Sequence, residues 1–188
     1  MKYKNILLLS AALLIISCSS TKAPESARND LIQNGFSLSL PEEDKWTVVK
    51  KGDYKVLLSK QGANGRDRYT IQALVVSLPA FENDNQFLEF IENRTAKSRK
   101  NTNVIEHNSK FFTADNGICV QHTSKENRNS RNSTASILEV VSFTCRHPEN
   151  TNAGVYLALS KSYAPGTSDE ILVERAIKLF KHLYFTQL

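Results

Sequence analysis

The stretch ENRNSRNST, residues 126–134, is polar throughout and separates two runs rich in apolar and β-branched residues, GICVQHTSK before it and SILEVVSFTCR after it. Two such runs around a polar connection read as a β-hairpin. If the pair is centred on Asn132, Cys119 lies opposite Cys145 and Lys125 lies opposite Glu139, a favourable opposite-charge neighbour. Facing residues of an antiparallel pair stand about 4.5 to 5.5 Å apart at Cα, within the span of a disulfide. The chain has three cysteines, so any pairing has to account for the third.

The same periodicity argument extends over the rest of the chain. FSLSL alternates strictly, WTVVKKG and YKVLLSK are strand-like, and RYTIQALVVSL is a longer strand-like run, with Gly62 and Gly65 of QGANGRD marking a hairpin turn before it. The period then changes. Asn83 and Gln86 offer an N-cap and its reciprocal partner, and Phe87, Leu88, Ile91 and Thr95 share one helical face, which predicts a helix from about Asp84 to Lys100. VIEHNSKFFTADNGICVQHTSK reads as two short strands about a turn at Asp115, Asn116 and Gly117, followed by SILEVVSFTCR and GVYLALSKSY. After Pro165 and Gly166, Thr167 with Glu170 forms a capping box, and Leu172, Ala176, Leu179, Phe180 and Leu183 line a helix running to about Tyr184. Strands, helix, strands, helix predict an α+β domain: an antiparallel β-sheet covered by two main helices.

At the amino end, Lys2 and Lys4 precede an almost wholly apolar run from Ile6 to Ile16. That is the anatomy of an export signal, and it is shorter than the roughly 20 residues a spanning helix needs. Ile15-Ile16-Ser17-Cys18 resembles the lipobox of bacterial lipoproteins. The resemblance implies cleavage after residue 17, acylation of Cys18, and anchorage by two or three fatty chains, each buried methylene contributing about 0.8 kcal/mol. Ser19, as a non-aspartate, resembles the pattern sent to the outer membrane. The expected division is a signal peptide over residues 1–17, a lipidated amino end and flexible tether over 18–34, and one globular domain over 35–188. A tether of that length lets the domain wander roughly 20 Å from the bilayer.

With Cys18 consumed by lipid, Cys119 and Cys145 remain as an even pair in an oxidising compartment, and a disulfide between them is the favoured reading. Zinc is an alternative, since Cys119, His122, Cys145 and His147 supply two thiols and two imidazoles. Strand parity opposes it, because residues 119 and 122 point to opposite faces. Free thiols are the remaining alternative.

The opening GFSLSLPEEDKWTVV, with Pro41 and Trp46, and the order of elements behind it resemble the Mog/PsbP/DcrB-like α/β/α sandwich. The four residues Glu42 to Lys45 between that proline and tryptophan depart from the tighter turn of the group. The resemblance implies a mostly non-catalytic role, as in extrinsic photosystem subunits, assembly proteins and envelope lipoproteins, and it assigns no functional residue. Trp46 is equally read as a core aromatic at a strand start.

A direct search for chemistry finds no Gly-x-Ser-x-Gly elbow, no His-Glu-x-x-His and no phosphate-binding glycine loop. His107, His122, His147 and His182 are scattered and read as surface histidines, His182 in the last turns of the final helix. Glu42, Glu43 and Asp44 read as a charged turn, lacking the alternating oxygen donors of a calcium loop. Arg94, Lys97, Arg99 and Lys100 read as a solvated helix face. Asn93 and Asn132 each open a glycosylation pattern that reads as chance in a bacterial lipoprotein. The formal charge of +5, less the two lysines of the signal, is too small to imply nucleic acid.

The expectation is therefore a lipid-anchored protein of the bacterial cell envelope, on the outer membrane facing the periplasm, with no catalytic residues, cofactor or metal. Its partners are the membrane, through its lipid, and another envelope protein that it binds as an accessory or assembly factor. A binder of a small or lipidic ligand in a sheet-helix cleft is the alternative, and an enzyme of unfamiliar type comes third.

Overall fold

A computed structural model describes residues 30–41, 45–98, 103–114, 117–128, 135–166 and 171–188. Strands β1 (Asp30–Gln33) and β2 (Phe36–Ser39) form a hairpin whose turn at Gly35 takes φ 88°, a conformation open to glycine at little cost. Strands β3 (Thr47–Gly52), β4 (Lys55–Gln61) and β5 (Arg68–Ser77) follow, then helix α1 (Asp84–Ser98). Four long strands come next, β6 (Asn103–Ala114), β7 (Gly117–Arg128), β8 (Ser136–His147) and β9 (Asn150–Tyr163), and the chain closes with α2 (Leu172–Phe180) and β10 (Leu183–Phe185).

Two antiparallel sheets result. The large one has the order β3-β4-β5-β9-β8-β7-β6, and the small one the order β1-β2-β10. The large sheet is two meanders fused where β5 pairs with β9. Alternation then gives each strand one residue per face. One face carries Val56, Leu58, Ile71, Ala73, Val141, Phe143, Val155 and Leu157, packed beneath α2 and the small sheet with Phe36, Leu38, Leu172, Phe180 and Leu183. The other face carries a smaller cluster of Leu78 and Val120 with Phe87 and Ile91 of α1. The helices thus lie on opposite faces of the sheet, the α/β/α sandwich that the sequence suggests.

The hairpin register agrees with the expectation: Cys119 pairs with Cys145 and Lys125 with Glu139. Cys119 and Cys145 are joined by a disulfide with their Cα atoms 4.0 Å apart. The α1 cap also forms, since the Gln86 backbone N–H donates to Asn83 Oδ1 at 3.0 Å. The reciprocal bond reaches one residue further back, Gln86 Oε1 accepting from the Glu82 N–H at 2.9 Å.

Two boundaries differ from expectation. Strand β1 lies inside residues 18–34, read as tether, so ordered structure begins before Gly35 and at least as early as Asp30. The final helix stops at Phe180 rather than near Tyr184, because Leu183 to Phe185 pair with β2. His182 therefore follows the helix, its N–H on Leu179 O at 3.1 Å and its carbonyl accepting from Ser39 N at 3.0 Å. The Thr167–Glu170 capping box, Glu42 to Asp44, Arg99, Lys100 and the Asn132 pattern fall outside the described residues.

Glycine is required at position 154. A Cβ there would stand 2.6 Å from the Cys145 carbonyl oxygen and 2.6 Å from a Leu78 methyl, so β9 passes this point only without a side chain.

One cross-strand row is charged. Reading across the sheet, Lys60, Tyr69, Lys161, Glu139, Lys125 and Glu106 are successive register partners on β4, β5, β9, β8, β7 and β6. The Tyr163 hydroxyl donates to Glu139 at 3.0 Å, and Lys161 Nζ lies 3.0 Å from the Asp67 carboxylate. Opposite charges opposite one another in a sheet contribute a few tenths to 1 kcal/mol each.

A side-chain hydrogen bond with Asn64, followed by the hydrogen bond and charge of Lys161, holds the Asp67 carboxyl below its ordinary value of 3.8, against burial, which raises it. A carboxyl depressed in the folded state contributes stability that is present above the unfolded value and is lost as pH falls through the folded one. The stability gap between the wild type and Asp67→Asn is therefore expected to be widest near neutrality and to narrow on acidification from about pH 7 to about pH 3. Urea midpoints at the two pH values measure this, and a gap independent of pH would show that the carboxylate's charge contributes nothing.

Candidate functional site

Helix α1 covers only part of its sheet face. It rests on the β6–β7 side, with Phe87 and Ile91 anchored beside Leu78 and Val120. The rest of that face is an open trough. Its floor is built by alternate residues of four strands: Arg68, Thr70 and Gln72 of β5, Tyr156, Ala158, Ser160 and Ser162 of β9, Leu138, Val140 and Ser142 of β8, and His122, Ser124, Glu126 and Arg128 of β7. A cavity of about 420 Å³ lies where Ile91, Arg94 and Thr95 of α1 overhang this floor. A second of about 490 Å³ lies over Ser160 and Ser162, and the two share Gln72, Arg128, Leu138, Val140 and Tyr156.

The floor is low because β9 presents Ala and Ser where the opposite face of the same strand presents Val155, Leu157 and Leu159. Such a surface can hold an extended ligand by hydroxyl and amide hydrogen bonds, with Leu138 and Val140 as apolar contacts. Among the described lining residues Arg68, Arg94 and Arg128 outnumber Glu126 as charged groups, so this part of the trough favours anionic or carbonyl-rich ligands. Burial raises the Tyr156 phenol above its ordinary 10.0, the Ser142 hydrogen bond and the Arg94 charge only partly opposing it. At neutral pH Tyr156 is a neutral hydroxyl that can donate as well as accept.

His107 is exposed, as expected, and His182 is half-buried, but the other two histidines are not the surface residues expected. His122 and His147 are buried. His122 Nδ1 meets Ser109 Oγ at 2.9 Å, its cross-strand partner beneath α1. His147 Nε2 lies 2.9 Å from Thr186 O while its Nδ1 accepts from the Glu149 N–H at 3.2 Å, a set that selects the Nε2–H tautomer and ties β8 to the carboxyl end. The four residues considered for zinc are dispersed: Cys119 and Cys145 are joined to one another in the core face, and His122 lines the opposite face. No cluster of three or more His, Cys, Asp or Glu suited to a metal occurs among the described residues, nor does any helix long and apolar enough to cross a membrane. Arg94 belongs to the trough rather than to a purely solvated face, a role its place in NRTAKSRKN does not announce. Pro41 and Trp46 line a separate cavity. Cys18 lies outside the described residues.

Fold and site together define an antiparallel α/β/α sandwich with an open trough on one sheet face. The chain is similar to solved structures. The Ran-binding protein Mog1p of Saccharomyces cerevisiae superposes with a TM-score of 0.51 at 9% identity, over 86% of this chain and 97% of that one. Cyanobacterial PsbP (CyanoP) from Synechocystis sp. PCC 6803 matches at a TM-score of 0.41 and 11% identity, over 81% and 87% of the two chains. The chain has the Mog1-like fold. No protein-family model and no curated protein sequence matches it.

Proposed function

We propose that this chain is a lipid-anchored protein of the bacterial cell envelope that acts without catalysis, binding an extended segment of another envelope protein in the trough beside α1. The observation that carries the binding role is the trough itself: an uncovered sheet face with a small-residue floor, a hydroxyl-rich lining and an arginine-rich border. Anchorage is supported by Ile15-Ile16-Ser17-Cys18 behind a short apolar run. Ser19, a non-aspartate that resembles the outer-membrane sorting pattern, supports a location on the outer membrane, and we place the domain on its periplasmic side. The disulfide between β7 and β8 suits an oxidising compartment. Mog1p, on the same fold, is a Ran-binding protein, an analogy of architecture and not of residues.

A small or lipidic ligand in the same sheet-helix space is the second reading, favoured by the roughly 420 Å³ enclosed between α1 and the sheet, a size usual for small-molecule sites. One experiment addresses anchor and trough together. Cys18→Ala is expected to abolish fatty-acid labelling and release the protein from membranes. A photo-crosslinker at Ser160 is expected to capture one reproducible envelope protein. Unchanged membrane partition would refute the anchor; crosslinks to lipid or a small molecule alone would favour the second reading.

A further inference from the structure

Among the described residues the large sheet ends in two edge strands, β3 and β6, each with a neighbour on one side only. An edge strand turns a row of backbone N–H and C=O groups outward, ready to pair with another strand. β3 carries Lys50 and Lys51 and no acidic residue, a usual protection against such pairing. β6 is differently made. It is 12 residues long and carries both signs of charge; its bulge lies near its start, between Val104 and Glu106, and the run from Glu106 to Ala114 is regular. Ile105 and Phe111 are exposed apolar residues on it, and Glu106 and Lys110 are exposed as well.

We propose that β6 pairs antiparallel with β6 of a second copy of this chain, about a two-fold axis at Asn108, so that the two large sheets become one. Facing residues of an antiparallel pair either both hydrogen-bond across it or both point away. The axis of a symmetric pair therefore passes through a residue and not between two, which leaves few registers. Centred on Glu106 or on Lys110, a charge would face its own copy, and like charges directly opposite are destabilising. Centred on His107 or on Ser109, neither charge meets its opposite. Centred on Asn108, Glu106 of each copy faces Lys110 of the other, His107 faces Ser109, and Ile105 of each copy lies toward Phe111 of the other. Symmetry makes each of these contacts twice. The charged row across the sheet supports the same register: it reaches this edge as Lys161, Glu139, Lys125 and Glu106, and Lys110 of the second copy continues its alternation of sign. The strand is thus its own complement, which is why a second copy is the occupant. This surface is separate from the trough and from the anchor.

In the full chain carrying Cys18→Ala, with Cys119 and Cys145 already joined, Asn108→Cys supplies the one free thiol. Facing Cα atoms about 4.5 to 5.5 Å apart are within the span of a disulfide, so mild oxidation is expected to give a covalent dimer. Thr113→Cys, on the same strand, would face Asn103 of the other copy and is expected to remain monomeric. Sedimentation equilibrium follows the protein without an added cysteine. Lys110→Glu, which faces Gln121 within its own chain, is expected to weaken the dimer by about tenfold, because two attractive pairs become two repulsive ones, while the thermal midpoint of the monomer stays unchanged. The proposal is overturned if the protein is monomeric at every concentration, if Lys110→Glu self-associates as the wild type does, as association through the apolar run Ile6 to Ile16 would, if Thr113→Cys crosslinks as readily as Asn108→Cys, or if Asn108→Cys is captured in cells by a different protein alone.

Discussion

Replacing Cys119 and Cys145 together by alanine is expected to lower stability by about 3 to 4 kcal/mol, the loop-closure contribution for a crosslink across a separation of 26 residues. In a chain of this size that is a fall of about 10 °C in Tm. Reduction of the wild-type protein should reproduce the loss, because the same constraint on the unfolded chain is removed. Both sulfurs are buried at the foot of the aromatic core, so full reduction should require partial unfolding and be slow in native buffer. Thermal and urea transitions of the oxidised, reduced and double-alanine forms measure this. Equal midpoints would mean that the hairpin register is held without the crosslink.

Phe143→Ala is expected to cost about 3 to 5 kcal/mol, as do other large-to-small changes at sealed sites. Phe143 is 1% exposed. Its ring stands 5.0 Å from that of Phe112 on β6 and 4.6 Å from that of Phe180 on α2, and Phe180 and Phe112 are themselves 5.3 Å apart. This triad is the point where α2 is attached to the sheet, and truncation at its centre removes contacts on both sides. Phe143→Leu, which retains most of the volume, should cost less than about 2 kcal/mol. Phe180→Ala combined with Phe143→Ala should cost less than the sum, since both empty the same space. Urea midpoints with unchanged slope test all three. A loss below 1 kcal/mol for Phe143→Ala would be incompatible with a rigid triad.

The hairpin of β7 and β8 was legible because its information is local. Two parity-matched runs about a polar connection leave one register that joins both Cys119 to Cys145 and Lys125 to Glu139, and the structure has that register. Helix α1 was legible for a similar reason: a cap, a reciprocal glutamine and one apolar face all occur within four turns. Strand β1 was missed because DLIQ is four residues long and shows alternation only against its partner; Leu31 and Leu183 flank Leu38 in register although far apart in the chain. Strand β10 was absorbed into the last helix because Leu183 follows Leu179 by four residues, a spacing helices and chance share. His122 and His147 gave no sign of burial, since what buries them, α1 above one and Phe185 beside the other, comes from elsewhere in the chain.

The amino-acid sequence alone determined the α+β class, the strand parities, the helix faces and the cysteine pairing, all of which rest on periodicity and on contacts across a single turn or loop. Only the tertiary structure decided that β5 would lie against β9, that α1 would leave part of its sheet face bare, and that Trp46, Lys60, Arg175 and Lys178 would surround one cavity. The physical reason is that short-range patterns state which side of an element seeks burial, whereas the partner that buries it is chosen by the packing of the whole chain.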